Sequence, residues 1–205
     1  MNSRVLTLSL YLFILISLLS GCATVDQKIN LTYKPVDQPF GRNSGEVLVS
    51  RTDAVSLRNS KGEWIVGAQN NVHGVKLADI LSDRTFGEWI SDALVLELKQ
   101  AGYTAAYANK LPAGTARGII INDINLFLNI DKGTVSSETR QELKFNVDII
   151  INGSKIKTFS IATIDKRTLA LTVSQEEKEL IMCQSLQDAM QRQIMPELIE
   201  MFTKK

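Results

Sequence analysis

Asn152-Gly153 lies between two stretches that read as strands, and no other feature of the sequence constrains the fold so tightly. Both residues tolerate positive φ, as a two-residue type I′ turn requires, so the flanking strands must be antiparallel neighbours. Before the turn, Leu143, Phe145, Val147, Ile149 and Ile151 share one side of residues 142–151 and alternate with the polar Glu142, Lys144, Asn146 and Asp148. Period-two alternation marks a strand with one buried face. The return strand is predicted over residues 155–165. A sheet with one apolar face must bury it, so the remaining chain has to supply a cover.

Two capping boxes announce that cover. Thr85-Phe86-Gly87-Glu88 and Ser174-Gln175-Glu176-Glu177 both have the spacing at which hydroxyl and carboxylate satisfy backbone donors reciprocally. The first helix is predicted to run to Ala101, with Gly102 as its stop. Phe86, Ile90, Ala93, Leu94, Leu98 and Ala101 share one face, widened by Trp89 and Leu96. The second helix carries Leu180, Cys183, Leu186, Met190, Ile194 and Leu198 at helical spacing, and Pro196 should kink or break it.

Further strands are predicted at 46–50, 54–57 (short), 64–66, 103–108 (an edge) and 118–131. In the last of these Ile120, Ile124, Leu126, Leu128 and Ile130 are expected on one side, with Phe127 on the other. Residues 67–74 read as a polar loop and 75–83 as a short turn of helix. The expectation is an α+β domain: a mostly antiparallel sheet of about four to six strands with two main helices packed on one face.

The N-terminus reads differently. Arg4 is followed by an uncharged apolar run over residues 5–18 and then by Leu19-Ser20-Gly21-Cys22. A basic start, an apolar middle and a small-residue exit make a secretory signal. The run is shorter than the roughly 20 residues of a spanning helix. Leu-Ser-Gly-Cys resembles the lipobox of bacterial lipoproteins. That resemblance implies cleavage between Gly21 and Cys22, a diacylglyceryl thioether on the Cys22 sulfur and acylation of the new amino group. Ala23, where Asp would retain such a protein in the inner membrane, favours the outer membrane and its periplasmic face. Three segments follow: a cleaved signal peptide (1–21), a lipidated tether and extended lead-in (22–45), and a single α+β periplasmic domain (46–205). Lys34-Pro35 and Gln38-Pro39 keep the lead-in out of helix, while Leu31, Tyr33 and Phe40 give it apolar handholds for docking.

Removing residues 1–21 from the 205 leaves 184, enough for one well-packed domain. Arg4 is the only charge removed, so 22 basic residues balance 22 acidic ones. No basic stripe supports a nucleic-acid partner. With Cys22 lipidated, Cys183 has no partner, and its place in an apolar-patterned helix predicts a buried, inert thiol.

Chemistry is scarce. The single histidine, His73, has no Cys or carboxylate at ligand spacing, so no metal site is expected. No Gly-x-Ser-x-Gly elbow, phosphate-cradling loop or HExxH motif is present. Trp64, Trp89, Phe127 and Phe145, and Met190, Met195 and Met201, read as core. The candidate recognition loop is Gln69, Asn70, Asn71, His73 and Gly74: a polar stretch with three amide side chains, held by the apolar Trp64-Ile65-Val66 run. The expectation is a non-catalytic binding or accessory subunit, with no cofactor beyond the covalent lipid. Its partners would be the membrane and an envelope protein complex. A structural or housekeeping lipoprotein and an envelope enzyme are the alternatives.

The lipobox, Thr32-Tyr33-Lys34-Pro35, and Val66-Gly67 leading into Asn70-Asn71-Val72-His73-Gly74 resemble the YajG-like family of bacterial lipoproteins. The helix from Trp89 through Glu97-Leu98 to Ala101-Gly102-Tyr103 adds to the likeness. The resemblance implies an outer-membrane lipoprotein facing the periplasm, and it transfers one site, Cys22, with no catalytic residue.

Overall fold

The computed structural model describes residues 25–35, 43–52, 57–170 and 172–203. In chain order its elements are β1 (Gln27–Lys28), β2 (Glu46–Arg51), β3 (Trp64–Asn70), β4 (Lys76–Ser82), α1 (Phe86–Gln100), β5 (Thr104–Tyr107), β6 (Arg117–Lys132), β7 (Ser136–Ile151), β8 (Ser154–Ala170), α2 (Gln175–Ala189), a π-helical turn (Met190–Ile194) and α3 (Met195–Thr203). The predicted strand at 54–57 lies outside the described residues apart from Leu57.

Three long antiparallel strands, β6, β7 and β8, make the spine. Asn152 and Gly153 join β7 to β8 with φ of 50° and 77°, the mirror-image turn the sequence calls for. β7 occupies one edge of β6 throughout. The opposite edge is shared end to end. β2 runs parallel to β6 with residues 48–51 against 118–121, and β3 runs parallel with residues 67–70 against 128–131. β5 extends the sheet beyond β2, and β4 then β1 extend it beyond β3.

The α+β class stands, but the sheet is larger than expected and mixed. It has eight strands, with four parallel pairings and three antiparallel among the described residues. Hairpins leave a local signature in sequence, whereas parallel partners meet through long crossovers and leave none. Residues 75–83 are not helical: they form β4, whose inward Ala78 and Ile80 pack into the core.

β6 also corrects an expectation. Ile119 and Ile121 point inward, then Leu126, Leu128 and Ile130 do, while Ile120 and Asn122 do not. The parity changes at a bulge between Asn122 and Asn125, where Asp123 takes φ 52°. An extra residue in one strand swaps the faces of everything beyond it.

Both capping boxes form. Thr85 Oγ1 accepts from Glu88 N at 3.1 Å and Glu88 returns to Thr85 N at 2.8 Å; Ser174 and Glu177 repeat the pair at the same distances. α1 lies on β5, β2 and β6, and α2 on β7 and β8, so both close one core over the sheet's apolar face. The opposite face is a polar lattice, with Arg140 and Lys144 on either side of Glu142. The buried stripe of α2 is Lys178, Ile181, Met182, Ser185, Leu186 and Ala189. Leu180 is exposed and Cys183 half-buried, which corrects the predicted stripe and the buried thiol. The polar Lys178 and Ser185 hide the true face from a reading based on apolarity. Pro196 acts as expected: the helix passes through a π-helical turn just before it, which absorbs the missing N–H and the ring.

Candidate functional site

Two turns meet at one end of the spine. Asn71-Val72-His73-Gly74-Val75 closes the β3–β4 hairpin, and Gly133-Thr134-Val135 closes the β6–β7 hairpin. They stand side by side because Asn70 pairs with Asp131 in the parallel β3–β6 ladder. Between them lies a polar cleft of about 420 Å³, lined by Asn71, Val72, Gly74, Asp131, Lys132 and Ser136 among others. A second cleft of about 370 Å³ adjoins it, sharing Asp131 and Glu138 and adding Arg140 and Lys166. The candidate loop therefore borders a concavity, but its side chains do not converge there. Gln69 is 2 % exposed, on the inner face of β3. Asn70 Nδ2 donates to Asp131 Oδ1 at 2.9 Å. Asn71 Oδ1 accepts from His73 N at 2.9 Å and Val75 N at 3.0 Å, so it builds the turn. His73 is exposed, and Gly74 takes φ 73°. Gly67 is needed for another reason: a Cβ there would lie 2.3 Å from the Leu128 carbonyl oxygen.

The sequence leaves a second constellation unmarked. Residues 25–35 lie along β4 and the two helices rather than away from them. β1 pairs parallel with β4, and Ile29 and Leu31 are fully enclosed. Polar contacts fix the segment along its length. Asp26 Oδ1 accepts from Asp79 N at 2.9 Å, Glu179 Oε1 accepts from Asn30 N at 2.7 Å, and Gln187 Nε2 donates to Lys34 O. At its end the Tyr33 hydroxyl donates to Glu97 on α1. Glu97 is buried beside the π-helical turn, where Gln191 approaches it; its Oε2 and Gln191 Nε2 form no hydrogen bond of good geometry. Burial raises the Glu97 carboxyl above its ordinary range, against the lowering effect of Tyr33 and Gln191. Burial likewise pushes the Tyr33 phenol up, and Glu97 adds to it. On α2, burial lowers the Lys178 ammonium, whose Nζ donates to Val173 O at 2.6 Å and to Gln27. Glu97, enclosed on α1, is a latch for this segment.

The other end of the spine carries an open cleft of about 480 Å³ lined by Ile151, Ile156, Met201 and Phe202, with Glu46 and Arg117 among its polar members. Arg117 Nη1 donates to Ser44 O at 3.0 Å and Nη2 to Phe202 O at 3.2 Å. Its guanidinium lies 6.0 Å from the centre of the Tyr103 ring and 5.9 Å from that of Phe202. Of the predicted core aromatics, Trp89 and Phe145 are buried, Trp64 is half-buried beneath the Arg58 guanidinium, and Phe127 is half-buried. Met190 and Met195 are core, and Met201 borders the far-end cleft. Among the described residues no group of three His, Cys, Asp or Glu side chains is placed to hold a metal ion. Gly21 and Cys22, the predicted cleavage and lipidation site, lie outside the described residues.

Fold and site together define a mixed-sheet α+β module with a docked N-terminal strand and a cleft at each end of its spine. The fold is similar to that of protein XCC0632 from Xanthomonas campestris, of the family DUF330. The crystal structure of XCC0632 superposes with a TM-score of 0.54 at 11 % identity, over 87 % of this chain and 100 % of that one. At this identity the likeness is one of fold. A protein described as a neuraminyllactose-binding hemagglutinin homolog from Helicobacter pylori aligns more loosely, with a TM-score of 0.43 at 11 % identity, over 82 % of this chain and 98 % of that one. No family model matches the sequence, and no curated protein matches it.

Proposed function

We propose that this chain is a lipid-anchored envelope lipoprotein, held through Cys22 on the periplasmic face of the outer membrane, and that it works as a non-catalytic binding or accessory subunit of an envelope protein complex. The observation that carries this reading is the docking of residues 25–35 directly after the lipobox. A spacer meant only to let a domain roam has no need of Ile29 and Leu31 in the core. Fixed to the body, the segment mounts the domain on the membrane in one attitude, as an accessory that presents one surface to a periplasmic partner requires. The far-end cleft, about 50 Å along β6 from the hairpin tips at strand rise, supplies an apolar surface for that partner. The finer reading is a YajG-like lipoprotein, on the strength of the lipobox and of Thr32-Tyr33-Lys34-Pro35. Neither a nucleic-acid partner nor a cofactor other than the lipid enters it.

Two measurements test the proposal. Mass spectrometry of the mature N-terminal peptide should find diacylglyceryl and acyl groups on Cys22, and Cys22→Ser should abolish them. A photo-crosslinking residue at Ile156 in intact cells should give a discrete adduct with an envelope protein that the same residue at Lys144, on the polar sheet face, does not give. Equal patterns from both positions would remove the partner from the proposal.

A further inference from the structure

The hairpin end of the spine concentrates exposed apolar side chains. Val72 and Val75 in the β3–β4 turn are 57 % and 58 % exposed, and Val135 in the β6–β7 turn is 84 % exposed. Three exposed valines cluster on the two adjacent turns that flank the polar cleft, unlike isolated surface residues, which are ordinary. The turns themselves carry His73, Lys76 and Lys132 and no carboxylate over residues 71–76 and 132–137. Lys76 is ion-paired with Asp79 on β4 at 3.0 Å, and Asp131 and Glu138 lie opposite each other in the β6–β7 ladder one step back from the tip, so His73 and Lys132 carry the basic character of the turns.

The start of the described chain lies at this same end. β1 runs parallel to β4 with Gln27 opposite Ile80, so Val25 falls toward the Lys76 end of β4, where the β3–β4 turn lies. Val25 is itself 75 % exposed. Cys22 is three residues away, a separation that a fully extended chain spans in no more than about 11 Å.

We infer that the Val72, Val75 and Val135 tips form a membrane-contacting surface, seated in the headgroup region of the bilayer that receives the Cys22 lipid. The inference rests on the anchor proposed above and adds the attitude of the domain. Lipid on Cys22 brings the hairpin end to the bilayer. Apolar side chains flanked by basic ones are the composition that partitions into that interface. A single point of lipid attachment leaves a domain free to rotate; with the valine tips there are further contacts, and the spine is held pointing away from the membrane. The far-end cleft is then presented to the periplasm.

The test uses the full-length chain purified from membranes and placed in vesicles of phosphatidylethanolamine and phosphatidylglycerol. In a Cys183→Ala background, Val72→Cys, Val135→Cys and Ile156→Cys each receive an environment-sensitive fluorophore, and nitroxide-bearing lipids serve as quencher. Labels at positions 72 and 135 should shift to the blue and be quenched several-fold more than the label at 156. Equal quenching at both ends, or none at the tips, overturns the surface. The mass of the N-terminal peptide is read on the same preparation. A lipidated chain with unquenched tips keeps the anchor and removes the surface. Quenched tips on a chain without lipid keep the surface and remove the anchor, and a chain showing neither loses both.

Discussion

Asn71 uses its carboxamide inside its own turn, accepting from His73 N and Val75 N, whereas Asn70 meets Asp131 in solvent. The two neighbours should therefore respond differently to truncation. Asn71→Ala removes two hydrogen bonds from a tight turn and should cost about 1 kcal/mol, seen as a lower Tm. Asn70→Ala should stay within about 0.5 kcal/mol of the parent, as exposed substitutions usually do. The reverse order would mean the turn is held by something other than the Asn71 side chain. Glu97 gives a prediction in pH. Its folded pKa is raised, so between the ordinary 4.5 and that raised value the native state binds more protons than the unfolded one. Stability is then full below this window and falls as pH rises through it. Glu97→Gln keeps the shape and abolishes the titration, so its denaturation midpoint should lose that downward slope relative to the parent. Parallel slopes in the two proteins would place the carboxylate in a solvated setting.

At the scale of elements, Asp123 governs which face of β6 is buried. Its φ of 52° suits Asp better than a β-branched residue, and its carboxylate accepts from Asn146 Nδ2 at 2.7 Å. Asp123→Val should cost about 1–3 kcal/mol in equilibrium denaturation through backbone strain, while Asp123→Gly frees the backbone and loses only the side-chain bond. If the two variants are equally stable, the bulge is not under conformational control at this residue. The bulge also explains what the sequence conceals. Asn152-Gly153 and the capping boxes are local chemistry, carried by adjacent or nearly adjacent residues, and were legible for that reason. The parity change at Asp123 sits inside a run so rich in isoleucine that either face looks apolar. The first half of β7 turns Ser137, Thr139 and Gln141 inward, so it lacks the alternation that marks residues 142–151. β4 places Leu77, Ala78, Ile80 and Leu81 at spacings a helix also uses, and only its pairing with β3 and β1 decides the matter. The candidate loop was legible as a polar turn. Its neighbour across the cleft, the β6–β7 turn, was not, because a parallel ladder joins residues 61 positions apart.

Taken as a whole molecule, the sequence draws the domain from residue 46, yet the core begins earlier. Ile29 and Leu31 belong to the same apolar cluster as Ile80, Leu94 and Ile181, and Tyr33 packs against it. Segment 25–35 thus bridges β4, α1 and α2. Removing it would open the edge of β4, expose the apolar surfaces beneath Ile29 and Leu31, and leave Glu97 buried without the Tyr33 hydroxyl and Lys178 without Gln27. Each of those losses acts in the same direction. Leu31→Ala alone should cost about 2–5 kcal/mol, the usual range for a fully buried leucine. A chain beginning at Glu46 should lose far more and fail to give a cooperative thermal transition, since the deficit approaches the whole stability of an ordinary domain. The comparison to make is calorimetry of the chain from residue 23, of its Leu31→Ala variant, and of the chain from residue 46. A shortened chain that melts as sharply and as high as the longer one would show that residues 25–35 ride on a domain complete without them. The lipid would then hang on a removable strap, and the fixed attitude proposed for the membrane-bound protein would lose its mechanical basis.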